Sequence, residues 1–112
     1  MTFPIEISYR AMTSSDELNA LIHEKAEGLA RLDGGVTRCR VVLGAPHRHQ
    51  QHGHACSVHI DLHLPGEPLV ITHDPGHAED HEDMERTIRD AFQAAHRRLR
   101  DRVKRDRERH RG

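Results

Sequence analysis

Cys56-Ser57-Val58-His59-Ile60-Asp61-Leu62-His63-Leu64 is the stretch whose reading decides the fold. Apolar side chains occupy every second position: Cys56, Val58, Ile60, Leu62 and Leu64 on one face, Ser57, His59, Asp61 and His63 on the other. Successive side chains of a strand point to opposite faces, so this is a strand with one face buried and one polar. Pro65-Gly66-Glu67 follows as a turn signal, and Leu69 to Thr72 is a short strand beyond it. Upstream, Val36 to Leu43 is a β-branched run that places Cys39, Val41 and Leu43 on one face and Arg38, Arg40 and Val42 on the other. Three consecutive strands predict an antiparallel meander with one apolar face.

Two helices are expected to cover that face. Phe3, Ile5, Ile7 and Tyr9 alternate as a first, half-buried strand. Ser14 and Glu17 have capping-box spacing, and Leu18, Leu21, Ile22, Ala26 and Leu29 then recur at helical spacing. This predicts a helix from about Ser15 to Leu32, stopped by Asp33-Gly34-Gly35. Gly28 inside it costs about 1 kcal/mol relative to Ala. After a loop containing Pro75-Gly76, Met84, Ile88, Ala91, Phe92, Ala95, Leu99 and Val103 mark one face of a long helix starting near Glu82. The expected architecture is one α+β domain over residues 1–112, read β-α-β-β-β-α, a four-stranded sheet with two helices packed on one face. A basic tail from about residue 104 either continues as solvated helix or frays.

The charge is segregated. Residues 1–96 carry 8 Lys/Arg and 15 Asp/Glu, a net of −7, whereas residues 97–112 carry 9 Lys/Arg and 3 Asp/Glu, a net of +6. The whole-chain charge of −1 conceals this, and nucleic-acid binding depends on a local patch rather than on the sum. On a helix Arg97, Arg100, Lys104, Arg107 and Arg111 fall on one stripe that can track a phosphate backbone. Asp101, Asp106 and Glu108 are interspersed, so a solvated helix laced with ion pairs is the competing reading. Aromatics make up only 3% of the chain, which argues against stacking on single strands and favours a structured RNA contacted through phosphates.

Other chemistry is less well supported. His47, His49, His52 and His54 crowd one loop, and His77 and His81 stand at i, i+4, so a His-rich metal-binding or stress protein is the alternative reading. No HExxH occurs, and Asp80 stands where the inverzincin order requires Glu, so no metal site or cofactor is assigned. A small hydrolase using His59, Asp61 and His63 lacks any GxSxG or P-loop motif, and no catalytic residue is assigned. Cys39 and Cys56 read as small buried hydrophobes. No secretory signal and no run of about 20 apolar residues is found, so a cytoplasmic protein without membrane contact is expected.

The ordered pattern resembles the ribosome hibernation promoting factor family, also called ribosome-associated translation inhibitors and formerly sigma-54 modulation proteins. The resemblance runs along nearly the whole chain. It rests on Ile5 and Ile7, on Leu21-Ile22-His23-Glu24-Lys25 through Leu29, and on Arg40-Val41-Val42-Leu43. It continues with His81-Glu82-Asp83-Met84, Ile88-Arg89-Asp90-Ala91-Phe92 and Arg97-Arg98-Leu99. The stretch from Arg40 to His49, with Ile60-Asp61-Leu62 and Pro65-Gly66-Glu67, is similar to one branch of the family, which makes the His cluster a branch feature. The resemblance implies the same fold and a binding protein without catalysis. It implies a seat on the small ribosomal subunit, on ribosomal RNA in the mRNA and tRNA channel, that idles ribosomes in starvation or stationary phase. Carried over by position, the contacts would be Lys25 and Arg31 of the first helix and Arg97, Arg98, Arg100, Arg102, Lys104 and Arg105 of the last. Arg107 joins them on the stripe.

The chain departs from the family pattern in places. Gly28 replaces a residue that is often Lys, Glu85 sits where Tyr is usual, and the first two-thirds is acidic. The sequence read here ends after the last helix, so ribosome pairing through a C-terminal dimerisation domain is not expected. The protein would act as a monomer or weak homodimer.

Overall fold

A computed structural model describes residues 3–32, 34–44, 57–73 and 81–111. The elements are β1 (Ile5–Arg10), α1 (Asp16–Leu29) closed by a 3-10 turn (Ala30–Leu32), β2 (Arg38–Gly44), β3 (Ser57–His63), β4 (Leu69–His73) and α2 (His81–Arg111). The sheet order is β1-β2-β3-β4. β1 lies parallel to β2 across the α1 crossover, and β2, β3 and β4 form the antiparallel meander. The α+β architecture read from the sequence is the one observed.

Register explains the division of the sheet. Ile7, Val41, Ile60 and Ile71 pair in one row, and Ile5, Cys39, Leu62 and Leu69 in another. Of these only Ile5 and Ile7, on the edge strand, are more than marginally exposed. The helices meet this face with Leu18, Ile22, Ala26 and Leu29 of α1 and Ile88, Ala91, Phe92, Ala95 and Leu99 of α2. Burying each large aliphatic side chain contributes about 1.5–3 kcal/mol. Cys39 is fully buried among them, and burial pushes its thiol up to about 12, so it stays a protonated apolar group. Cys56 lies outside the described residues.

The cap of α1 differs from the sequence expectation by one residue. Ser15, not Ser14, is the N-cap, and its Oγ accepts from the Leu18 N–H at 3.2 Å. The reciprocal acid of a capping box would stand at that third helical position, which Leu18 occupies for the core. At the other end, Gly34 allows close approach to α2: a Cβ there would stand 2.8 Å from Leu99 Cδ1. The chain emerging from the 3-10 turn is thereby held against the middle of α2. The basic stretch does not fray at its start, since α2 runs helical to Arg111, about 12 Å past Val103, the last core-facing residue.

Candidate nucleic-acid interface

α2 turns its apolar stripe to the core, which leaves two flanks. At roughly 100° per residue, Arg100, Lys104 and Arg107 fall on the flank facing α1, and Arg98 and Arg102 on the flank facing β4. The two flanks are used differently.

On the β4 side, Arg98 Nη1 donates to the Val70 carbonyl at 2.9 Å, and Arg102 Nη2 donates to the Pro65 carbonyl at 3.1 Å. Arg102 Nε also lies 3.8 Å from Asp106 Oδ2, one turn on. Among the described residues β4 pairs with β3 alone, which makes its far side a sheet edge. Arg98 covers one carbonyl of that edge and Arg102 covers the turn leading into it. Only 18% of the Arg102 side chain stays exposed.

On the α1 side a continuous furrow runs between the helices. Its lower part, about 390 Å³, is lined by Arg31 and Leu32 of the 3-10 turn and by Arg100, Val103, Lys104 and Arg107 of α2. Four cations surround this space and none of its lining residues is acidic. The upper part, about 670 Å³, is lined by Glu24, Lys25, Glu27, Gly28, Leu29 and Arg31 on one side and by Arg89, Phe92, Gln93 and His96 on the other. Arg31 belongs to both parts, so the 3-10 turn that ends α1 joins them.

The residues singled out from the sequence therefore divide. Lys25, Arg31, Arg100, Lys104 and Arg107 line the furrow. Arg98 and Arg102 hold the β4 side. Arg97 and Arg105 are exposed and are not among the lining residues of either part. Arg89, Gln93 and His96 were not singled out, although stepping back from Arg100 by 4, 3 and 4 residues reaches them on the same flank. Charge density drew the reading to residues 97–111 and away from the turns before it.

The outer sheet face carries polar pairs rather than a reactive set. Arg38 Nη2 lies 2.9 Å from both carboxylate oxygens of Glu6 on the neighbouring strand. That hydrogen bond, with the guanidinium charge, holds the Glu6 carboxyl below its usual range. His59 Nδ1 meets Thr72 Oγ1 at 3.1 Å, and His63 Nε2 is 3.8 Å from Asp61 Oδ2, too far for a hydrogen bond. The acid–base grouping of His59, Asp61 and His63 is thus not assembled. Among the described residues no group of three or more His, Cys, Asp or Glu could hold a metal ion, and the His47, His49, His52 and His54 loop lies outside them. No helix of the described residues is long and apolar enough to cross a membrane.

A βαβ unit continued by a meander, with a cationic furrow between its two helices, defines a small α+β binding domain. The chain belongs to the family described as sigma 54 modulation protein / S30EA ribosomal protein, which it matches over residues 5–107. Membership makes it a ribosome-associated protein of a non-enzymatic binding family. Among solved structures it is similar to a ribosomal subunit interface protein from Coxiella burnetii, at 14% identity and TM-score 0.67, covering 90% of this chain and 98% of that one. It is also similar to the N-terminal domain of Protein Y from Thermus thermophilus, at 17% identity and TM-score 0.65, covering 86% and 93%. No curated protein matches.

Proposed function

We propose that the protein binds ribosomal RNA of the small ribosomal subunit, in the channel used by mRNA and tRNA, and silences translation under stress or in stationary phase. The observation that carries this reading is the lower furrow, where Arg31 meets Arg100, Lys104 and Arg107 across two elements. Cations brought together from separate elements with no carboxylate among them suit successive phosphates better than a surface helix balanced by its own ion pairs. Family membership supplies the ribosome as the partner. The protein acts in the cytoplasm, as a monomer or weak homodimer, without a cofactor.

Sedimentation with small ribosomal subunits at low salt tests the proposal. The protein should travel with the subunits, leave them as salt rises, and slow translation in vitro. Replacing Arg31, Arg100, Lys104 and Arg107 with Glu should abolish both effects. Wild-type protein remaining at the top of the gradient, with translation unslowed, would overturn the reading.

A further inference from the structure

The upper furrow is chemically unlike the lower one. Glu24 and Glu27 stand on its α1 wall, opposite Arg89, Gln93 and His96. Lys25, Arg31 and Arg89 line it as well, so where the lower half holds cations without any carboxylate, this half mixes carboxylates with cations. It offers acceptors and donors side by side, above a floor of Leu29 and Phe92 that are almost wholly buried.

Gly28 supplies the second observation. It lies inside α1 and lines this half of the furrow. A Cβ added there would meet nothing within 4 Å, so no close packing calls for glycine. Nor does the backbone, because Gly28 is not among the residues with positive φ. A glycine in the last turn of a helix costs up to about 1 kcal/mol relative to Ala. What it does provide is open space between the helices.

Building on the RNA-binding reading, we propose that the upper furrow receives one unpaired RNA base, and guanine in preference to uracil. Its volume of about 670 Å³, open on one side, leaves room for a base to enter from solvent. Proteins read RNA sequence mainly at bases splayed from loops and bulges, since the A-form major groove is too deep and narrow. Guanine presents N1–H and N2–H₂ as adjacent donors, which a single carboxylate accepts together, and O6 and N7 as acceptors for an arginine such as Arg89. Uracil presents one N–H between two carbonyls and leaves a carboxylate facing an oxygen. The lower furrow holds the flanking phosphates while Glu24 or Glu27, with Arg89, reads the base.

The test measures affinity of the full-length protein for two RNA hairpins that differ only in one bulged nucleotide, G or U, across a salt series. Wild type should prefer the bulged G by about tenfold, the size of one good bidentate contact. Gly28→Leu fills the space and should remove the preference while leaving the salt slope unchanged. Glu24→Gln with Glu27→Gln keeps the shape, removes the paired acceptors, and should also remove it. Equal wild-type affinity for the two hairpins at an unchanged salt slope overturns the base site and leaves the RNA-binding reading standing. Binding to neither hairpin, together with failure to sediment with small subunits, overturns both. A preference that survives both variants also overturns the base site.

Discussion

Two sets of basic residues stand on the same helix, two residues apart, and do different work. Arg98 and Arg102 reach back to the carbonyls of Val70 and Pro65 and close the open side of the sheet. Arg100, Lys104 and Arg107 reach the other way and, with Arg31, surround an empty furrow. The sequence makes all of them equivalent cations. What separates them is the position of β4 and the turn leading into it, which offer the carbonyls of Val70 and Pro65 to one flank of α2. The positive charge of α2 is therefore not all in one situation, and part of the basic stretch hydrogen-bonds within the molecule.

The furrow also gains contrast from the rest of the molecule. Residues 1–96 carry a net charge of −7, so most of the surface repels RNA and the +6 end attracts it. Such a distribution orients the protein as it approaches a polyanion.

The largest effect expected is on binding. Replacing Arg100, Lys104 and Arg107 with Ala should lower the log–log salt slope for small-subunit binding by about 2 to 3, at roughly 0.7–0.9 per lost phosphate contact. Titration against small subunits across a salt series measures it, and melting should change little. Next comes the opposite pair. Arg98→Ala with Arg102→Ala should leave the salt slope unchanged but lower stability by about 1 kcal/mol per lost hydrogen bond. That is roughly 4 °C or more in Tm for each. The variant should also self-associate more readily at high concentration, because the β4 edge is uncovered; analytical ultracentrifugation checks this.

Gly28→Ala should stabilise the last turn of α1 by up to about 1 kcal/mol, visible in thermal melts, since its Cβ meets nothing. The smallest effect concerns the pair on the outer face. Arg38 depresses the Glu6 carboxyl below 4.5, so its contribution is present above the unfolded value near 4.5 and fades as pH falls through the lowered one. Glu6→Gln should lower stability slightly above pH 4.5, pH 7 included, and make no difference at low pH, the small size being that of an exposed pair.

Much of the fold was legible because it rests on periodicity. The alternation from Ser57 to His63 and the helical spacing from Met84 to Val103 each admit one buried face, and the structure buries it. The cap of α1 was read one residue early because Ser14 and Ser15 are chemically equivalent, and only the backbone conformation of Ser15 selects between them. In the site, Arg31 lining one space with Arg100, Lys104 and Arg107 was not legible in the spacing, since it depends on how the 3-10 turn docks beside Val103. The hydrogen bonds of Arg98 and Arg102 within the molecule were not legible, because nothing local to α2 reveals the carbonyls of Val70 and Pro65. Arg89, Gln93 and His96 were legible in principle, as the same flank continued N-terminally, but two of the three carry no fixed charge.

The salt dependence of small-subunit binding, compared between the two flanks of α2, tests this division most directly. The slope should fall by about 2 to 3 for Arg100→Ala, Lys104→Ala, Arg107→Ala, and stay unchanged for Arg98→Ala, Arg102→Ala. Equal reductions in the two variants, in proportion to the charges removed, would contradict the division.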